Sequence, residues 1–468
     1  MNENINFEEC IKLAEKAEML EAINLYKKAL SLTTIPLVKW EIYFKLGHIY
    51  KQNNEINNAV YNWMEAYEHS SEKIDNLYEI IRYYRETGKN KTSLLYYRMV
   101  ENIKKNNFII NSNLLSLLDY EYSIIASYNG IKNIGLQIIN ILNYSNEAYI
   151  IKNLFTNMKF YKNILVPIQS INLSETLHYN ITEEIKIKFV SSSSSIIKNI
   201  NNNYVMNIRY VNYMINSYGG YYDCGDKLVT INKYLELDDN FNILDNKILN
   251  CEYNNNRFIG IEDIRLFYDK KNEKIIFNGC GCHNNGNIGI LTGEYDPLNS
   301  DKLNKIELLS SFSNKYCEKN WVYTNFEDEI YIIYEWYPLN ICKINKDTNM
   351  IESYKIYKYF DKIFKFIRGS TNGVEFLNNN NLEIWFIVHL VSEESLRHYY
   401  HMIIIFNSKM ELLRYSAPFK FQNECIEYCI GLVVEQDRII CTYSAWDRST
   451  IIGIYNKKYI DDIIENKI

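Results

Sequence analysis

Glu262-Asp263-Ile264-Arg265 opens a run of short segments rich in Ile, Val, Tyr and Phe. Three comparable clusters follow it: Glu318-Lys319-Asn320-Trp321, Arg368-Gly369-Ser370-Thr371-Asn372 and Glu427-Tyr428-Cys429-Ile430-Gly431. Their starts lie 56, 50 and 59 residues apart. Each precedes two or three strand-like runs, such as 274–278, 330–334 and 382–389, separated by turn signals. An earlier unit holds Asn207-Ile208-Arg209 within the run 204–213 and brings the number to five. Units of this length with several strands each describe radial sheets around an axis, so the spacing predicts a five-bladed β-propeller over residues 189–468. In that fold the innermost strand of each blade lines a central funnel. Polar clusters that open those strands are expected to converge there.

The sequence before this region has a different grammar. Residues 1–180 contain four glycines and the remaining 288 contain thirteen. Tight turns between strands need glycine more than helix connections do, so helices are expected first. Leu46, Gly47 and Tyr50, followed by Ala59, Trp63 and Ala66, fall at offsets that resemble the tetratricopeptide (TPR) consensus. Ala22, Tyr26 and Ala29 repeat the second-helix positions 37 residues earlier, and Ser93, Tyr97 and Val100 repeat them 34 residues later. Three repeats suffice to stack a core. The expectation is an α + β multidomain chain: a TPR-like α-solenoid over 1–160, a linker over 161–188, then the propeller. The serines at 191–195 read as a polar loop.

Composition narrows the partners. With 51 Lys and Arg against 57 Asp and Glu, the net charge is −6, and no basic run occurs. A general nucleic-acid or anionic-membrane binder needs a clustered positive surplus, so both are excluded. Residues 1–10 lack a basic flank leading into an apolar stretch, and no run of about 18 apolar residues exists. Ten scattered cysteines, such as Cys342 and Cys441, sit mostly in apolar runs and read as reduced thiols. A soluble cytoplasmic protein is expected.

Four segments in order carry a resemblance: Gly260-Ile261-Glu262-Asp263-Ile264-Arg265, the Lys319 of Glu-Lys-Asn-Trp, Glu427 through Gly431-Leu432, and Tyr443-Ser444-Ala445-Trp446-Asp447 with Ile452-Gly453 after it. Together, over roughly 190–456, they resemble the five-bladed propeller enzymes of the β-mannoside phosphorylase family and the related mannosyltransferases. Those enzymes carry a G-x-E-D-x-R segment, a lysine on the third blade and an aspartate in Y-x-x-x-D on the last. The resemblance implies that Asp263 is the catalytic general acid, acting on the glycosidic oxygen directly or through a sugar hydroxyl. A neighbour such as Glu262 and partial burial would have to raise its pKa. It implies further that Lys319 binds phosphate, Asp447 holds sugar hydroxyls and Arg265 fixes a carboxylate. Arg209 and Arg368 are candidates for a donor phosphate, Glu427 for substrate binding, and Trp321, Trp336 and Trp446 for flat faces against a pyranose.

Departures from the pattern matter. Tyr334-Glu335-Trp336-Tyr337 stands where the phosphorylases place a phosphate-binding histidine, and Ile264 replaces the usual proline or alanine. This weakens phosphorolysis with free phosphate and favours transfer from an activated sugar, a nucleotide sugar or sugar phosphate, to a glycan or protein acceptor. The helical repeats would recruit a protein or the acceptor. No cofactor or metal is implied; Cys280-Gly281-Cys282-His283 lacks the second ligand cluster that zinc requires. Bland alternatives stay open: seam ion pairs for Glu262, Asp263, Arg265, Arg209 and Arg368, a lysine lying over Trp321, a turn pair at Asp447-Arg448, core or seam positions for His389 and His401, and a non-catalytic propeller that binds a glycan or protein.

Overall fold

Small residues at regular helical spacing let helices approach closely, and the first part of the chain uses them in that way. The computed structural model describes residues 6–105, 111–180, 186–249, 258–282, 286–313, 315–358 and 360–466. The chain divides into two units, Met1–Tyr161 and Lys162–Ile468. The first contains, among the described residues, the helices Phe7–Ala14, Met19–Leu32, Pro36–Gln52, Ile56–His69, Asp75–Glu86, Asn90–Lys105, Ser112–Tyr128, Gly135–Tyr144 and Ala148–Met158. Every residue of the repeated small-and-large set named above is buried. Gly47 shows why: a Cβ there would lie 2.2 Å from Nε1 of Trp63 on the next helix, so any side chain would push the pair apart. The buried Asp119 carboxylate is fully paired. Asp119 accepts from the Tyr97 hydroxyl (2.6 Å), Lys104 Nζ (2.8 Å) and Asn140 Nδ2 (2.8 Å). No helix among the described residues is long and apolar enough to cross a membrane.

The second unit is a five-bladed β-propeller with antiparallel blades. Blade I runs outward from Lys186–Lys198 through Tyr204–Val211 and Leu228–Leu237 to Ile243–Leu249. Blade II is Glu262–Asp269, Lys274–Cys282, Ile288–Glu294 and Asn304–Leu309; blade III is Val322–Phe326, Glu329–Trp336, Leu339–Asn345 and Met350–Tyr357. In blade IV, Arg368–Gly369 and Val374–Asn378 share the inner position against Asn381–Ser392, followed by His398–Asn407 and Leu412–Tyr415. Blade V takes Glu427–Val434, Arg438–Ala445 and Ile451–Asn456 from the end of the chain. Its outer strand, Gln169–Asn172, comes from the start of the unit and pairs from Gln169↔Ile454 to Asn172↔Ile451. This clasp closes the ring.

Three expectations are corrected here. Part of the segment 161–188, expected as a linker, forms the clasp strand and Thr176–Asn180, which pairs with the inner strand of blade I. The serines at 191–195 are not a loop but the buried centre of that inner strand. Near the axis the inner strands crowd together, and a small side chain with a hydroxyl suits the space. Ser191 Oγ accepts from Glu175 N (3.0 Å) and Ser195 Oγ from Leu266 N of blade II (3.3 Å). Asn207-Ile208-Arg209 accordingly lies on the second strand of blade I, not the first. Three inner strands carry a register shift, between Ser191 and Ser194, Glu262 and Arg265, and Cys429 and Gly431. Such bulges redirect side chains, and here they do so beside the funnel.

Candidate active site

Backbone geometry turns the acidic residues into the funnel. Asp263 sits in the blade II bulge with φ 52°, Asn320 precedes the inner strand of blade III with φ 65°, and Asp447 follows strand Arg438–Ala445 with φ 50°. The left-handed region is costly for most residues, but Asp and Asn enter it more readily than others. A cavity of about 630 Å³ opens at the mouth, and its walls include Arg209, Glu262, Asp263, Lys319, Arg368 and Asp447.

Arg209 is the centre of the network. Its Nη1 lies 2.9 Å from Asp263 Oδ1 and its Nη2 3.2 Å from Glu262 Oε1. Nη2 also donates to the Tyr213 hydroxyl (3.1 Å), which donates to Asp447 Oδ2 (3.0 Å). Ser193, released by its own bulge, donates to Asp263 Oδ1 (3.0 Å). Lys319 Nζ stands 3.8 Å from Glu262 Oε2.

These placements drive two aspartates in opposite directions. Burial pushes the Asp263 carboxyl up, but the charges of Arg209, Arg265 and Lys319 and the Ser193 hydroxyl outweigh it, so its pKa lies below the ordinary value. The raised pKa expected of a general acid at this position is therefore absent. Asp447 has the raised pKa. Burial pushes its carboxyl up, Asp263 and Glu262 add to the shift, and Arg209 and the Tyr213 hydroxyl only partly oppose it. Burial disfavours the Lys319 ammonium, yet the Glu262 and Asp263 carboxylates overcome this and hold its pKa above the usual lysine value.

Other sequence-derived candidates lie outside the cavity. Arg265 is 0% exposed and ties three blades together: Nε donates to Ser370 O (2.5 Å), Nη1 to Asp263 O (3.0 Å) and Nη2 to the Tyr428 hydroxyl (2.6 Å). Glu427 is buried and accepts the backbone N–H groups of Phe421, Gln422 and Glu424 at 2.7–2.8 Å, organising a turn. Trp321 (1% exposed) packs edge-on to Tyr334, and Trp336 (5%) packs against Phe386 and Phe406. Neither offers a face to a sugar. Trp446 donates to Glu424 Oε2 (2.8 Å).

The walls also hold residues that sequence reasoning did not select: Tyr213, Tyr221, Tyr399 and Tyr428, with Arg397 and Glu393 at the rim. Tyr428 was visible, since it belongs to the cluster that opens blade V. His389 lines the cavity as well, with Nδ1 2.8 Å from Ser370 Oγ. Burial, His401 and the charges of Arg368 and Arg265 keep it neutral. His401 by contrast is a core residue against Phe419 and Phe421, and burial and Lys420 press its pKa down to about 3. His283 lies outside the described residues. No cluster of metal-ligating side chains occurs among those described.

No family model matches the chain, and no curated protein does. Solved structures of similar course include the β-1,2-mannobiose phosphorylase of Listeria innocua in complex with β-1,2-mannobiose. It has 11% identity and a TM-score of 0.40, over 62% of this chain and 95% of that one. A putative glycosidase from Bacteroides thetaiotaomicron has 11% identity and a TM-score of 0.42, over 63% and 95%. A GDP-Man-dependent mannosyltransferase from Leishmania mexicana has 11% identity and a TM-score of 0.39, over 63% and 91%. Likenesses this distant assign no residue and no activity to the chain.

Proposed function

We propose that the funnel is the active site of a carbohydrate-active enzyme that transfers a glycosyl group from a phosphate-activated sugar to a hydroxyl acceptor. The observation that carries the reading is the pair of aspartates in one cavity with oppositely shifted pKa values, beside an arginine and a lysine. Groups pushed apart in this way can divide acid and base roles. Asp263 is ionised and can accept a proton, although its ion pair with Arg209 makes it a weak base. It takes the proton of the acceptor hydroxyl while that oxygen bonds to the anomeric carbon. The bond from that carbon to the phosphate oxygen breaks, and the electron pair leaves with the phosphate, next to Lys319 and the half-exposed Arg368. Phosphorolysis is the same step reversed and needs Asp263 protonated, which its lowered pKa disfavours. Asp447 and Glu262 accept sugar hydroxyls.

The donor is a sugar phosphate or nucleotide sugar, as the distant phosphorylase and mannosyltransferase structures use. Residues 1–160 act as a TPR-like arm that brings a protein or glycan acceptor to the propeller of 189–468, a reading supported by the buried small-and-large set. One observation favours a binding-only propeller instead: Asp263 already has an ion-pair partner and a hydroxyl donor without any ligand.

The test is a thermal-shift screen of sugar 1-phosphates and nucleotide sugars, followed by phosphate or nucleotide release with candidate acceptors. Asp263→Asn should lower turnover by about 10²-fold or more with little change in donor affinity. Equal turnover in the variant would remove Asp263 from the chemistry. Binding without turnover would favour the scaffold reading.

A further inference from the structure

A second feature of the mouth bears on how large the ligand is, and it rests on the carbohydrate reading above. After the second strand of blade I the chain forms a short hairpin, Met214–Ile215 against Tyr221–Tyr222. Its turn is tied internally. Asn216 N donates to Gly220 O, Gly219 N donates to Asn216 O, and Asn216 Oδ1 accepts from the N–H groups of Tyr218 and Gly220, all at 2.9 Å. Gly219 takes φ +81°, and a Cβ there would stand 3.4 Å from Ser395 O, in the loop between the blade IV strands Asn381–Ser392 and His398–Asn407. Blades I and IV are not neighbours in the ring; blade V lies between them. The hairpin and the loop therefore form an arch between blades I and IV. Beneath the arch Tyr213 and Ile215 pack with Ile426 of blade V, flanked by Leu396, Tyr399 and Trp446. The arch is tied by its own hydrogen bonds and packed on this apolar cluster.

This wall spends exposed aromatic surface. Tyr218 is 83% exposed, Tyr221 55% and Tyr222 43%. Of the three, Tyr221 lines the cavity, and its ring lies 4.6 Å from the Tyr213 ring, whose hydroxyl reaches Asp447. Arg397 and Glu393 rim the same wall. A pyranose has an apolar C–H face and a rim of hydroxyls, which matches an aromatic face flanked by charges. At about 630 Å³ the cavity is in the range that holds drug-sized ligands, larger than one monosaccharide.

We propose that Tyr221 is the stacking platform for a second sugar ring, so that the funnel takes a glycan of at least two residues. The first ring lies over Asp263 and Asp447, and the second rests on the arch.

The experiment is calorimetric titration of the full-length protein with mannose, glucose and N-acetylglucosamine, each against its β-linked disaccharide. At least one disaccharide should bind about fivefold or more tightly than its monosaccharide. Tyr221→Ala, at an exposed position, should erase that increment, while Tyr221→Phe keeps it. Equal affinities in the wild type, or an increment that survives Tyr221→Ala, overturn the platform. If a monosaccharide binds and Asp447→Asn abolishes it while no increment exists, the platform fails and the carbohydrate reading stands. If no saccharide binds at all, the carbohydrate reading falls, and the platform with it.

Discussion

Replacing Arg265 by methionine tests whether the funnel is held open by its own buried charge. The side chain has no exposure, and its guanidinium links the blade II bulge to Ser370 of blade IV and Tyr428 of blade V. Methionine keeps most of the volume and removes all three donors. Hydrogen bonds to a charged group contribute about 1.5–3 kcal/mol each, and the three together would suggest about 4.5–9 kcal/mol. Two effects reduce that figure. The variant no longer buries a charge, and the Tyr428 hydroxyl keeps its bond to Asn320 Oδ1 at 2.9 Å. A net loss of about 3 kcal/mol remains, which lowers a melting midpoint by about 6 °C in a unit of this size. Scanning calorimetry of the full chain reads this as a fall in the propeller transition. A shift below about 1 °C would show that the three blades are held by packing alone, and the cross-blade role given to Arg265 would be wrong.

Further outcomes follow from particular contacts. Asp447 has its folded pKa above the unfolded value, so its contribution to stability is fully present below the unfolded pKa and is lost as pH rises through the folded one. Asp447→Asn removes that loss, so its midpoint relative to wild type should be higher at pH 7.5 than at pH 4; a constant or reversed difference refutes the raised pKa. Asp263 has the opposite sign: its contribution is present above the unfolded carboxylate pKa and is lost as pH falls through the lowered folded value. Its removal should therefore cost more at neutral pH than near pH 3. In the helical unit, Gly47→Ala places a methyl against the Trp63 ring and should destabilise by about 1–3 kcal/mol, read in urea unfolding followed by tryptophan fluorescence. An unchanged midpoint would mean the two helices separate freely.

The polar clusters were legible because each opens a strand repeat, and in a propeller the inner strands share an axis. Arg209, Glu262, Asp263, Lys319, Arg368 and Asp447 do meet in one cavity. Which neighbour of a cluster faces the funnel was not legible. A bulge changes the alternation of faces, so Asp263 turns outward while Arg265, two residues on, turns into the interior. Trp321 and Trp336 looked like sugar platforms by type alone, and the packing between blades claimed them. Serine has low strand preference, so the inner strand of blade I read as a loop until the crowding at the axis supplied the reason for small side chains. Tyr213 and Tyr221 were lost among 42 tyrosines, where no spacing sets two apart. The helices of the first unit were easier, since their packing is local and leaves a repeated sequence signature.

The clasp in blade V has a consequence for how the protein is made. Gln169 pairs with Ile454, so two neighbouring strands of one sheet are separated by 285 residues of chain. A ribosome adding roughly 5–20 residues per second needs on the order of 14–57 seconds to cover that distance. For all of that time the strand Gln169–Asn172 has emerged and has no partner to receive it. The ring therefore cannot close before the last strand of blade V exists. Its last step must wait until Ile451–Asn456 has been made, and it is a nonlocal and slow event. Until then the unpaired edge is open to mispairing with other strands.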